Sequence, residues 1–292
     1  MAALIRQTYF GNVMENINLR NKAIKTKILT LEMIKKRGFG HLGGAFSIIE
    51  VLTVLYGCIM KTFPSDPQNS NRDYFILSKG HAGPGYYATL ANFGYFEEEV
   101  LLTLNQNRTI LPSHPDRRLT PGVDATTGSL GQGISQAVGI AYGLKLQGKS
   151  NKVFCIVGDG ECNEGQVWEA LQFAENKRLD NLIIIVDDNK QQVDGLTKDI
   201  SFTFHFESIF KAMNFEVMTA SGSSLEDIEN KLLNLVESQG KAKVLILDSL
   251  KAQTLPYYEN KLISHHLKLT HDDVIRFEGI IQELKTVLEC ES

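Results

Sequence analysis

Two polar stretches, each placed just after an apolar run, hold the residues best suited to chemistry. Residues 153–157 (VFCIV) lead into Gly158-Asp159-Gly160, and residues 182–186 (LIIIV) lead into Asp187-Asp188-Asn189. The side-chain oxygens of Asp159 and Asn189 are hard donors, of the type that holds Mg²⁺ or Ca²⁺ together with a diphosphate. Gly158 and Gly160 let the backbone approach phosphate, and a helix after them would offer unpaired N–H groups. A lone GDG is a common turn. Here it lies between two apolar strands and a second oxygen donor follows, which favours a ligand site over a plain turn.

Five further segments, most carrying glycine or proline and all but one carrying histidine, lie between regular elements. They are Gly40-His41-Leu42-Gly43-Gly44, Ser78-Lys79-Gly80-His81-Ala82, Pro112-Ser113-His114-Pro115, the histidine-free Thr126-Thr127-Gly128-Ser129-Leu130-Gly131-Gln132-Gly133, and Ser264-His265-His266. Imidazole titrates near neutrality and can donate, accept or relay a proton. A single loop histidine is ordinarily a surface residue, and none of these shows the HxxxH or CxxC spacing of a zinc site.

The elements that must position these loops follow from periodicity. Helices are expected over 16–37 (stopped by Gly38), 45–60, 86–93, 97–104, 131–146, 224–239 and 272–290, with a shorter one near 207–213. Strands are expected over 74–77, 153–157, 182–186, 215–219 and 244–247. The helix over 131–146 carries Gly133, Ser135, Ala137, Gly139, Ala141 and Gly143, read as a small-residue face that lets another element come close. Strands alternating with helices give an α/β fold, a parallel sheet flanked by helices, whose carboxyl edge is the usual ligand crevice. No repeat, low-complexity tract or Pro/Gly/Ser linker divides the 292 residues, so a single domain is expected.

Composition narrows the class. The chain is 43% hydrophobic and 22% charged, with a net charge of −4 and its basic residues dispersed, which argues against a nucleic-acid surface. No apolar run reaches bilayer length, and the first ten residues lack the pattern of a secretory signal. The four cysteines show no CxxC spacing, and Cys58 and Cys155 lie in apolar segments as reduced core residues would. A cytoplasmic protein is expected.

Taken together, GHLGGA, NRDYFILSKGHAGPGYYATLANFGYF, the SHPDRR to GSLGQGISQAVG region and GDGECNEGQVWEALQFA with DNLIIIVDDNKQQVDG resemble the N-terminal half of the transketolase family, in order and approximate spacing. The resemblance runs from about Glu15 to the C-terminus. It implies the diphosphate-binding (PP) domain of an enzyme that uses thiamine diphosphate and Mg²⁺ or Ca²⁺. Carried over, Asp159 and Asn189 would ligate the metal by side-chain oxygen and Gln191 by its backbone carbonyl. Gly158, Gly160 and Glu161 would belong to the cofactor site, and Gly128 and Leu130 would lie against the cofactor's rings. His81 and His265 would stand near the diphosphate, and His41 and His114 would line the substrate channel. Glu164 would meet a carboxylate of a partner chain, where a shared proton would relieve the repulsion of two like charges. The match at His265 departs from the family, which usually has glycine where this chain has His266. The glycine-bearing turn of the family reads Lys251-Ala252-Gln253-Thr254 here, which bears on entrance geometry and substrate preference.

Full transketolases are much longer and carry a pyrimidine-binding domain, with the glutamate that activates the cofactor, and a C-terminal domain. The resemblance therefore implies a split enzyme: this chain with a C-terminal transketolase subunit bearing the pyrimidine domain, two copies of each (α2β2). The pair would move a two-carbon ketol unit from a ketose to an aldehyde. Rival readings are a related two-carbon or acyl transfer to a specialised acceptor, such as a modified sugar or carrier-bound thioester, and a non-catalytic scaffold. The α chain of a 2-oxo acid dehydrogenase shares a GDG…N motif, but is not expected to combine it with GHxGGA, SKGHA and TTGSLGQG.

Overall fold

A computed structural model describes residues 18–290. Five strands form one parallel sheet: β2 (Tyr74–Leu77), β3 (Val153–Gly158), β4 (Leu182–Asp188), β5 (Glu216–Ser221) and β6 (Lys243–Asp248), in the order β2-β3-β4-β6-β5. A sheet covered on both faces needs apolar side chains at consecutive positions, which is why these strands read as unbroken runs. Phe154, Ile156, Ile183, Ile185, Leu245 and Leu247 enter one core cluster, and their alternate neighbours Val153, Cys155, Val157, Ile184, Val186, Val244 and Ile246 enter the other. Both faces are dry.

Helix α1 (Leu19–Arg37) ends at Gly38, whose φ of 84° gives a left-handed cap that most side chains resist. The expected start at Asn16 lies outside the described residues. Beyond Gly38, strand β1 (Phe39–Gly40) pairs antiparallel with the distant β7 (Leu267–Lys268), a two-residue ribbon that the sequence pattern does not reveal.

Three expectations need correction. The helix expected over 45–60 is interrupted: α2 (Leu42–Phe46) stops, α3 (Ile49–Val54) begins afresh, and a π turn (Leu55–Ile59) follows. At the break, Ser47 turns its hydroxyl to Asp187 at 2.7 Å, a tertiary bond that local periodicity cannot show. The segment expected as a helix over 97–104 is a 3₁₀ turn (Glu98–Thr103), while α4 (Gly83–Asn92) starts earlier than expected, with Pro84 in its first turn.

The small residues of α5 (Gln132–Leu146) do not share a face, because residues two apart lie about 200° apart around a helix. Gly133 is needed where a side chain's Cβ would sit 2.5 Å from Ser78 Cα, and Ala137 and Ala141 are buried. Gly139 and Gly143 have no such neighbour within 4 Å.

Later in the chain come α6 (Gly165–Asn176), the short α7 (Thr197–Ile200), α8 (Phe206–Ala212) and α9 (Leu225–Glu237). Helix α10 (His271–Cys290) then packs against α1 and closes a third core cluster with Phe46, Tyr258, Leu267 and Phe277. No described helix is long and apolar enough to cross a membrane. Cys58, Cys155 and Cys162 are buried free thiols, and Cys290 is exposed.

Candidate active site

The parallel register sets Gly158 beside Asp187, so the polar ends of β3 and β4 open on the same edge. Asp187 is the hub of that edge. Fully buried, it accepts hydrogen bonds from Ser47 Oγ (2.7 Å), Asn189 Nδ2 (2.8 Å) and Ser249 Oγ (2.5 Å), and pairs with the equally buried Lys79 ammonium. Burial alone would raise the Asp187 carboxyl; the Lys79 charge and these donors outweigh it and hold it below its ordinary range. Sequence reasoning does not assign roles to Lys79 or Asp187. The available signal is an acid ending a wholly apolar strand, which must find a partner once buried.

Glu161 is expected in the cofactor site. Its carboxylate accepts from Ser78 Oγ (2.6 Å) and from the backbone N–H groups of Gly131 (2.8 Å) and Gly158 (3.1 Å). The side chain thus ties the ends of β2 and β3 to the start of α5 and shapes the loop from within. The GDG segment runs into a 3₁₀ turn (Glu161–Asn163), and α6 begins only afterwards, so its free N–H groups do not follow the glycines directly. Gly160 is required by packing: a Cβ there would lie 2.9 Å from Gln192 Cγ.

Asp159, Asn189 and Gln191 are all buried at this edge. Asp159 accepts from Thr197 Oγ1 at 2.7 Å on one oxygen. Burial, with Asp187 and Asp188 nearby, pushes its carboxyl up to about 6, a cost that a divalent cation would remove. Asn189 directs its amide nitrogen to Asp187 and its oxygen to Gln191 N–H (3.1 Å), which fixes which end of the amide faces which neighbour. The Gln191 carbonyl is approached by Lys251 Nζ at 3.4 Å and retains a second lone pair. Two carboxamide or carbonyl oxygens and one carboxylate form a donor set that fits Mg²⁺. Buried hydroxyls at Thr127 and Ser264 and the Gln191 side-chain oxygen have no hydrogen-bond partner, as polar groups awaiting a ligand would.

Above this floor, five of the seven histidines converge. His41 lies 5.5 Å from His81, 6.1 Å from His114, 5.6 Å from His265 and 4.7 Å from His266, ring centroid to centroid. His81 and His265 stand 5.2 Å apart, and His265 Nδ1 meets Lys251 Nζ at 2.9 Å. Burial first, then the neighbouring imidazoles and Lys251, lowers His41 to about 4; burial and Lys251 lower His265 to about 3. His81 is held well below its ordinary value by burial and Lys79, and His114 is lowered by burial. Lys251 itself is lowered to about 8, by burial and then by Lys79. The result is a set of neutral imidazoles at neutral pH, able to accept or donate hydrogen bonds to substrate hydroxyls.

Gly128 lies against His114, where a Cβ would come 3.4 Å from its Cγ, and Leu130 is 38% exposed nearby in sequence. Glu164, expected at a subunit contact, caps α6 on the surface, with its Cβ in reach of Gly131. The loop that departs from the family is held by Gln253. Its amide donates to Glu50 (2.8 Å) and to the Gly222 carbonyl (2.9 Å), and Glu50 pairs with Lys27 (2.7 Å). A cleft of about 750 Å³ opens beside Asp159, lined by Asp188, Thr197, Phe204, Phe206 and Asp248 among others. The five converging histidines do not line it.

Comparison with known proteins agrees with this geometry. The thiamine diphosphate binding domain of transketolase matches residues 19–280. The chain is 44% identical over 258 residues to the 6-deoxy-6-sulfo-D-fructose transketolase subunit SqwG of Clostridium sp. (strain MSTE9), covering 88% of this chain and 94% of that protein. It is 38% identical to an apulose-4-phosphate transketolase subunit of Actinobacillus succinogenes, covering 93% and 96%. Among solved structures, transketolase from Campylobacter jejuni superposes with a TM-score of 0.80 at 28% identity, over 95% of this chain and 48% of that one. Transketolase from Leishmania mexicana gives 0.82 at 25% identity, over 94% and 46%. With the domain matched along nearly its whole described length and the sheet superposed, the chain belongs to the transketolase family.

Proposed function

We propose that this chain is the N-terminal, diphosphate-binding subunit of a two-component transketolase, one domain acting with a partner subunit that carries the pyrimidine-binding domain. The observation that carries the reading is a buried oxygen-donor set (Asp159, Asn189, Gln191) joined through Lys251 to converging neutral imidazoles. It is supported by near end-to-end alignment with two proteins named as transketolase subunits.

In this reading Asp159, Asn189 and the Gln191 carbonyl would hold Mg²⁺, which would supply countercharge for a diphosphate. Lys251 would offset further negative charge, and the neutral His81 and His265 would offer it hydrogen bonds. Bound thiamine diphosphate supplies the carbon nucleophile and electron sink of ketol transfer. His41 and His114, both neutral, hydrogen-bond the substrate hydroxyls and take or return their protons. Gly128 and Leu130 lie along the cofactor's rings, and Glu164 meets a carboxylate of the partner at the surface. The assembly is α2β2 and cytoplasmic. By their names the two relatives act on a sulfonated and a phosphorylated sugar, and an anionic sugar is the substrate class proposed for this chain.

The test is co-purification with the partner subunit, followed by ketol transfer with thiamine diphosphate and Mg²⁺. Asp159→Ala should abolish cofactor binding measured by calorimetry, and with it turnover. Unchanged binding in that variant, or no cofactor binding by the wild-type pair, overturns the proposal.

A further inference from the structure

The ribbon β1/β7 pairs Phe39 with Lys268 and Gly40 with Leu267. Continuing that antiparallel register by one residue sets His41 opposite His266. Their rings meet edge to face, 4.7 Å apart at 73°, nearer than any other of the clustered imidazoles comes to His41. On its other side His266 lies 5.7 Å from the Phe39 ring, over which the Arg37 guanidinium sits at 4.4 Å. The His266 ring is therefore gripped between two rings, yet it is the exposed member of the cluster, and its nitrogens make no hydrogen bond to any described residue. A fixed, exposed imidazole always presents at least one N–H donor.

Among the described residues, none of the five imidazoles is hydrogen-bonded or ion-paired to a carboxylate, and Lys251 contacts carbonyl oxygens and His265 but forms no ion pair. Lys79 alone is compensated, by Asp187. An imidazole N–H that no carboxylate already holds is free to meet an acceptor oxygen, and at the exposed edge of the cluster it would meet the part of a substrate lying farthest from the reacting carbons.

We propose that His266 is a specificity-determining residue: held against His41 at the mouth of the site, it donates a hydrogen bond to the anionic terminal group of an extended sugar substrate. Phosphate ester and sulfonate share that chemistry, each offering tetrahedral acceptor oxygens. The inference rests on the ketol-transfer reading above and adds a residue that reads the substrate's far end.

The experiment uses the assembled two-subunit enzyme with three donors: a ketohexose 6-phosphate, its 6-deoxy-6-sulfonate counterpart and the uncharged ketohexose. His266→Phe keeps a ring against His41 and Phe39 but removes the donor; His266→Gln restores a donor. For His266→Phe, KM should rise about tenfold with the charged sugars, the scale of a hydrogen bond to a charged group. It should move less than about twofold with the uncharged one, kcat should hold, and His266→Gln should recover most of the loss. A rise with only one anion assigns the site to that anion and upholds the proposal. Equal changes with charged and uncharged donors, or none at all, overturn it while leaving ketol transfer intact. Cofactor binding without transfer of any donor by the wild-type pair overturns the functional reading, and this inference with it.

Discussion

At the sheet edge, Asp187 gathers donors from four separate segments and Glu161 from three, and both carboxylates are buried. A few ångströms away, His41, His114 and His266 meet other rings and form no side-chain hydrogen bonds to described residues. Around Asp187 and Glu161 the floor is a closed network, in which removing Lys79 or either carboxylate strands a charge or a donor. The rim is a set of ring contacts whose members can be exchanged without stranding a hydrogen-bond partner. In the proposed reading, affinity for cofactor and choice of substrate would rest on separable parts: a hydrogen-bonded carboxylate network on one side and ring contacts on the other.

The largest effect expected from this contrast is at Lys79. Lys79→Met leaves Asp187 buried without its countercharge and should lower stability by about 3–5 kcal/mol, read from denaturant midpoints. A loss under about 1 kcal/mol would mean the floor is not a closed network. Next comes Glu161→Ala, which strands the donors of Ser78, Gly131 and Gly158 and should cost about 1–3 kcal/mol in the same measurement. At the rim, His114→Ala should change stability by no more than about 0.5 kcal/mol, while ketol transfer in the assembled enzyme falls about 10²- to 10⁴-fold. A large stability loss there would erase the distinction between floor and rim.

The smallest effect is a matter of pH. Because its folded-state value is lowered to about 4, the His41 Cε1–H resonance should titrate near there instead of near 6.5. The unfolded chain then binds the proton more readily than the folded one. The contribution of His41 is therefore complete above about pH 6.5 and is lost as pH falls from 6.5 through about 4. The stability difference between wild type and His41→Gln should shrink over that window.

Much of this is legible in the primary structure. The four strands β2, β3, β4 and β6 declare themselves as apolar runs because they are covered on both faces, whereas the edge strand β5 is partly exposed and mixed in composition. The histidine segments with GDG and Asn189 carry the family resemblance. The break at Ser47 is not legible, since its cause is Asp187, far along the chain. That the Glu161 carboxylate accepts from the backbone N–H groups of Gly131 and Gly158 is likewise not legible, since Gly131 lies thirty residues away. The alternating small residues of α5 suggest one face, but a period of two belongs to strands and not to helices.

Fold class, the edge at which ligands gather and membership of the family follow from the primary structure alone, because these depend on local patterns of burial and on short motifs. That Lys79 neutralises Asp187, that Gln253 ties its loop to Glu50, and that His266 stands against His41 are settled by tertiary contacts. Those contacts join residues far apart in the chain. The free energy of a buried charge or an oriented ring depends on what lies beside it in space, which no reading of neighbours along the chain supplies.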